Sequence, residues 1–438
     1  MALRERGIRE LYRGDAARAD ALLFGRVAES DRRGFLRGAG LAAMATVVGA
    51  AIPFQSRMPA GLIPAVLADT EEPFRIPGKH GLTILNDRPV SAETPPHLLD
   101  DAVTPNSRHF VRNNGLVPDA AMAGDARGWT LRIDGEVSNP LALTLDELKR
   151  RFDNVTLQLQ LECGGNGRAA FNPPVRGNQW TFGAVGCARW TGIRAADLLR
   201  AAGLKEAAVY TGHYGSDIHL SGNPDKVVIS RGVPIWKMMD RHTLIAFAMN
   251  GEPIPAMHGF PVRIVAPGWP GSVSAKWLKR IRIRDRVHDG PKMTGTSYRV
   301  PAYPVRPGAK VPEADWRIIE SMPVKSLITY PRSGTALARD NRMLEVRGHA
   351  WAGERAVARV EVSYDFGATW TEAGLDRPAN PYAWQNWRAR LAFPTRGYYE
   401  VWARATDDHG IRQPFAIDWN AKGYLNNSMH RVAVTVPS

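Results

Sequence analysis

Val155-Thr-Leu-Gln-Leu-Gln-Leu-Glu-Cys163-Gly-Gly-Asn-Gly-Arg168 is the stretch that decides how this chain is read. Its first eight residues are β-branched and apolar residues alternating with polar ones, the period-two signature of a strand. The strand delivers a cysteine to a turn of three glycines. Glycine lets another group approach closely, and a thiolate at a strand tip can serve as a soft metal ligand. A buried, inert thiol fits the same spacing, and the residues alone leave both readings open.

Only one other cysteine, Cys187, accompanies it in 438 residues. Two cysteines rule out a disulfide framework, paired CxxC zinc sites and CxxCH haem attachment; a single Cys163–Cys187 bridge stays open. The length suits two or three domains with real cores. With 32 prolines, 41 glycines and 13 tryptophans, the composition points to a globular, turn-rich, β-dominated protein. The formal net charge is +14, of which +10 remains when residues 1–68 are set aside. No basic run with interleaved aromatics stands out, so nucleic acid is disfavoured; an anionic substrate or an acidic partner suits the charge better.

Outward from the cysteine, the N-terminus carries an address. Ser30-Asp-Arg32-Arg33-Gly-Phe-Leu-Arg37, followed by a short apolar stretch from Gly38 to Phe54, matches a twin-arginine export signal ending near Ala68. The stretch is short and rich in Ala and Gly for a spanning helix. This predicts a periplasmic protein with no stable membrane anchor after cleavage. Residues 69–100 are Pro-rich and read as an extended arm.

From about 101 to 290 strands and helices mix. Trp129–Asp134 reads as a strand, Thr144–Phe152 as a helix capped by Thr144 with Glu147 three residues on, and Ile193–Ala202 as a second helix stopped by Gly203. Val262–Ala266 and Ile281–Arg284 read as strands. Residues 291–322 form a connector. From 323 the pattern becomes period-two throughout: Leu344–Trp351, Val357–Tyr364, Tyr398–Arg404 and Arg431–Val436, with a turn at Asp365–Trp370. That suggests an immunoglobulin-like β-sandwich without the cysteine pair. The fold class is therefore α+β: a mixed α/β domain followed by a β-sandwich.

Eight segments in a fixed order then carry a resemblance. They are Thr104-Pro-Asn-Ser-Arg-His-Phe-Val-Arg112-Asn113, Leu161–Arg168, Gly183–Gly192 with Arg189-Trp190, Met249-Asn-Gly251, His258-Gly-Phe-Pro261-Val-Arg263, Pro267-Gly268, Lys276-Trp-Leu278, and Trp419-Asn420 with His430-Arg-Val432. The chain resembles the sulfite oxidase family of molybdenum enzymes, in its bacterial exported branch, from about Thr104 to the C-terminus.

The resemblance implies a molybdenum–pyranopterin (molybdopterin) cofactor, with Cys163 as the protein's thiolate ligand. Cofactor contacts map onto Phe110, Val111, Arg112, Asn113, Asn114, Cys163, Tyr214, His258, Arg263, Ser274, Ala275 and Lys276. A pocket for sulfite, becoming sulfate, maps onto Arg112, Arg168 and Lys422, with Trp180 as a wall and Tyr298 as a hydrogen-bond donor. No haem site is carried, so electrons would leave singly to a c-type cytochrome. The sandwich would be the dimerisation domain of a homodimer. Three positions depart from the family pattern. Asn114 stands where a histidine is usual, Lys422 where an arginine is usual, and Gly167 where one of two paired arginines is usual.

The implied activity is a sulfite dehydrogenase. A sulfane dehydrogenase acting on carrier-bound sulfur shares the implied fold, and a reductase of the same superfamily, acting on nitrate or methionine sulfoxide, is a further alternative. A non-catalytic exported binding protein is the rival of another class, but it would have no need for Cys163, Arg112 and Tyr298 together.

Overall fold

The computed structural model describes residues 74–437. The export signal expected over residues 1–68 lies outside the described residues. Strands dominate, and helices are few and short. Among the described residues no helix is long and apolar enough to cross a membrane.

Two five-stranded sheets build the N-terminal domain. In one, Asn154–Glu162 pairs antiparallel with Val185–Arg194, which pairs with Leu244–Met249. In the other, Leu141–Thr144, Thr130–Gly135, Leu278–Arg284, Tyr210–Gly215 and Ser230–Arg231 lie side by side in that order. Between them Leu131, Ile133, Leu148, Leu198, Ile245, Ile264 and Ile281 form a closed core. Each large aliphatic side chain buried this way contributes about 1.5–3 kcal/mol.

The capped helix runs Leu145–Arg151, and the reciprocal bonds of Thr144 and Glu147 satisfy its first amide groups. The second helix is shorter than its sequence suggested. It runs Ala195–Ala202, because Ile193 and Arg194 are held in the ladder opposite Ile245 and Leu244.

The arm is not simply extended. Thr83–Asp87 and Val90–Glu93 form an antiparallel hairpin, and the second strand pairs with Val111–Arg112. The backbone partners that this pairing supplies are non-local and leave no signal in a Pro-rich stretch. The connector likewise folds into a small hairpin, Arg299–Pro301 against Trp316–Ile318.

The C-terminal domain is a sandwich of a four-stranded sheet (Lys325–Tyr330, Met343–Trp351, Gln385–Ala392, Gly374–Leu375) and a five-stranded one built around Gly397–Asp407. Val346, Val360, Val362, Trp387, Leu391, Val401 and Val434 fill the space between them. The domains share buried contacts. Leu99, Val185 and Cys187 pack with Leu327, Trp351 and Trp384 in one cluster. Lys237, with 0% side-chain exposure, meets Glu354 at 3.0 Å and the Tyr382 hydroxyl at 3.1 Å across the domains.

Candidate active site

The strand Asn154–Glu162 ends in the Cys163 turn, and that turn is gripped from both sides. Cys163 N donates to Ala184 O at 2.9 Å, and Asn166 N donates back to Cys163 O at 2.8 Å. The Asn166 side chain donates to Glu162 Oε1 and accepts from Ala184 N. A C-terminal loop closes over the turn: Leu425 N donates to Gly164 O at 2.9 Å, and Asn426 Nδ2 to Gly167 O at 2.7 Å. Gly167 has φ +89°, and the Asn426 side chain lies 2.9 Å from where a Cβ would sit. Any side chain there is strained and crowded, which accounts for glycine at this position.

Both cysteines are free thiols. Cys187 is sealed in the core, and burial pushes its thiol up to about 12. Cys163, at 8% exposure, opens onto a cleft of about 840 Å³.

Strand alternation decides what faces this cleft. Phe110 and Arg112 line it, and Val111 between them points into the Ile76/Ala92/Met257 cluster. His213 and Gly215 line it, and Tyr214 turns away to stack edge-on with His288. Asn113, Asn114, His258, Arg263, Ser274, Ala275, Lys276 and Tyr298 all line the cleft with Cys163.

Trp180 is fully buried and packs with Phe110 and Cys163 behind the cleft surface. Arg168 and Lys422 stand outside the lining. Arg168 gives Nε to Lys422 O at 3.1 Å and Nη1 to Asn178 O at 3.0 Å. Its guanidinium lies over the Tyr424 ring, which stacks on Tyr298 at 5.6 Å.

Several cleft residues had no signal in the sequence. Asp217, just past the strand that carries Tyr214, brings a carboxylate. Burial pushes its pKa up to about 6, against the pull of Lys292, Lys276 and Lys279. His213 and Arg231 also line the cleft, as does His109, which lies within the Thr104–Asn113 segment. Lys79, from the arm, reaches beneath it: Nζ donates to His109 O at 2.8 Å and lies 2.5 Å from His258 Nε2. Lys79 belongs to a stretch the sequence reads only as an arm; fold-level contacts alone bring it here.

The electrostatics are lopsided. Arg112, Arg231, Arg263 and Lys276 face the cleft, and Asp217 is the one carboxylate among the described lining residues. Arg263 spends its donors on carbonyls of His258, Ile264 and Ser274, and burial holds it down at about 9. Lys276 is held far below its usual value by burial and then by Arg263, Lys79 and Arg112. His109 and His258 are likewise kept neutral, chiefly by burial. Buried cations without carboxylates are costly unless an anion joins them.

A phosphate-bearing pterin fits this cradle: charged donors for the phosphate, and Asn113, Ser274 and Asp217 for ring edges. The sulfur of Cys163 in the cleft lining suits a soft metal. Among the described residues no group of three or more His, Cys, Asp and Glu could hold a bare ion. Four non-glycine residues around the cleft, Trp277, Lys292, Tyr298 and Leu425, adopt positive φ, the strain that gathers at functional sites.

Comparison with known proteins agrees with this geometry. Residues 115–292 match the oxidoreductase molybdopterin binding domain, and 316–437 match the Mo-co oxidoreductase dimerisation domain. Mitochondrial sulfite oxidase of Rattus norvegicus is 34% identical over 391 residues, covering 84% of this chain and 67% of that protein. Sulfite oxidase of Gallus gallus is 34% identical, covering 83% and 80%. The crystal structure of the sulfane dehydrogenase SoxCD from Paracoccus pantotrophus superposes with a TM-score of 0.66 at 25% identity, over 90% of this chain and 99% of that one. This chain belongs to the sulfite oxidase family and is a molybdenum-dependent oxidoreductase with a molybdopterin cofactor.

Proposed function

We propose that this protein is a periplasmic sulfite dehydrogenase that oxidises sulfite to sulfate and passes electrons singly to a c-type cytochrome. The observation that carries the reading is the cleft itself. The Cys163 thiol shares the cleft lining with Arg112, Arg231 and Lys276, a setting for a small dianion rather than a neutral substrate.

In this reading Cys163 holds the metal. His258, Arg263, Ser274, Ala275 and Lys276, with Asn113, hold the pterin and its phosphate. When bound, the cofactor supplies two-electron redox chemistry at a thiolate-held molybdenum. Arg112 and Tyr298 orient the anion, and both are anchored on one acceptor. Asn114 Oδ1 takes bonds from Arg112 Nη2 at 3.0 Å, Lys292 Nζ at 2.9 Å and Tyr298 Oη at 3.3 Å. Arg168 and Lys422 support the wall from behind, through Tyr424.

The twin-arginine signature supports export of the folded protein, and the match of 316–437 to a dimerisation domain supports a homodimer. The test is turnover of the purified protein with sulfite and oxidised cytochrome c, with molybdenum quantified on the same sample. Rapid sulfite-dependent reduction at near-stoichiometric molybdenum is expected. Full molybdenum without sulfite turnover would overturn the substrate and leave the cofactor assignment standing.

A further inference from the structure

Arg231 was not singled out by any sequence pattern, yet it is the guanidinium most in need of a partner. It closes the short strand Ser230–Arg231, opposite His213 on the neighbouring strand. Ser230 turns back to His213 O and His288, and Arg231 turns to the cleft. The residue is 2% exposed. Its Nε and Nη1 are buried and find no acceptor among the described residues.

The strongest electrostatic influences on it come from Tyr298, Tyr210, Tyr424 and Arg299, none of them a carboxylate. Its one strong contact is with a ring: the guanidinium lies 4.7 Å from the Tyr298 centroid.

That contact does not satisfy it. Stacking uses the face of the guanidinium plane, whereas its N–H donors point outward in the plane. Arg168 makes the comparison direct. Arg231, Tyr298, Tyr424 and Arg168 form a continuous stack, cation on ring on ring on cation. Arg168, at the far end, has Nε and Nη1 bonded to carbonyls. Arg263 across the cleft has all its nitrogens bonded as well. Only at Arg231 does a cleft-lining guanidinium keep two buried, unused donors, beside the tyrosine assigned to substrate.

We propose that Arg231 is a binding residue for the substrate oxyanion, offering its in-plane donors to an anion that enters beside Tyr298. It takes the place in the pocket that sequence resemblance gave to Arg168. The proposal rests on the reading that a small sulfur oxyanion enters the cleft. The ligand chemistry is a compact anion with two or more adjacent oxygens, matching the fork of the guanidinium edge.

The test uses the molybdenum-loaded protein and two variants, Arg231→Met and Arg231→Lys. Sulfite kinetics with ferricyanide as acceptor are measured beside calorimetric binding of sulfate, the product anion. Molybdenum content and Tm are recorded for each. Arg231→Met is expected to raise the sulfite KM tenfold or more, with kcat within about threefold, and to weaken sulfate binding in parallel. Arg231→Lys should fall between, because lysine keeps the charge and loses the fork.

A fully metallated Arg231→Met protein with unchanged KM and sulfate affinity would overturn the proposal, leaving Arg231 as a prop for Tyr298. A prop would lower kcat rather than raise KM. Should the Met variant fold poorly, the Lys variant decides, since unchanged sulfate affinity there also overturns it. If the wild type binds sulfate in an Arg231-dependent way and does not turn over sulfite, the binding residue stands and the sulfite reading falls.

Discussion

Lys325 Nζ, on the first strand of the C-terminal sandwich, lies 2.5 Å from Oε1 of Glu162, the residue before Cys163. The pair is buried, and Trp351 Nε1 donates to the other carboxylate oxygen at 2.8 Å. Asn166, in the cysteine turn, donates to the same carboxylate. The second domain thus reaches through Glu162 to hold the backbone that carries the thiol.

Removing one member of this pair leaves the other charge buried and unpaired. Lys325→Met is expected to cost about 3–5 kcal/mol of unfolding free energy. The double variant Lys325→Met/Glu162→Gln should recover part of that loss. Denaturant unfolding of the four proteins in the cycle measures the coupling, and additive losses would show that the pair does not act as a unit.

The two cysteines separate metal binding from packing. Cys163→Ser and Cys187→Ser each place a hydroxyl where a buried thiol was, a cost of about 1–3 kcal/mol. Only Cys163→Ser is expected to abolish sulfite turnover and deplete molybdenum. Metal analysis of both variants is the check, and loss of molybdenum from Cys187→Ser alone would reverse the assignment.

Asn114 gathers three donors on one amide oxygen. Asn114→Leu should therefore raise the sulfite KM about tenfold while the protein keeps its molybdenum, since an acceptor common to Arg112 and Tyr298 is lost. Asn114→His should bring a new pH dependence. Below about pH 6.5 an imidazolium no longer accepts these bonds and repels its cationic neighbours. KM profiles from pH 5.5 to 8.5 would reveal it; a flat profile counts against the arrangement.

Cofactor-free protein should gain stability as pH rises from 7 to 9. Burial lowers Lys79 to about 7 and Lys276 well below its ordinary 10.5. A lysine whose folded pKa is depressed binds fewer protons folded than unfolded across that window, so stability rises with pH. The cost is fully present below the folded value and fades toward 10.5. Asp217 works in the opposite sense, but between its usual 3.8 and about 6, outside this range. Cofactor-loaded protein should show a smaller rise, because a phosphate in the cleft compensates Lys276, which lines it. Tm against pH for the two forms measures the difference.

Much of the fold was legible because it is local. Thr144 and Glu147 announced their capping box, and the runs at Leu344, Val357, Tyr398 and Arg431 announced strands by period two. The cofactor motifs were legible because Cys163, His258, Arg263 and Lys276 sit in short, ordered segments. The family resemblance implies Val111 and Tyr214 as cofactor contacts, but a strand shows alternate residues to opposite faces, and neither side chain lines the cleft. Their neighbours face the cleft instead. The arm hairpin was missed because its third strand, Val111–Arg112, is supplied from outside the arm.

The sequence by itself determined the order of domains, the thiol at the strand tip, and the family, since each is written in contiguous residues. The tertiary structure alone decided which charged groups meet. Lys79, Asp217 and Arg231 come from three separate stretches and reach the cleft through sheet pairing and burial. Arg168 is close to Cys163 in sequence, yet its Nε and Nη1 go to the carbonyls of the distant Lys422 and of Asn178. Whether a cation is spent or available depends on the acceptors that surround it in space, and those are fixed only when the chain has folded.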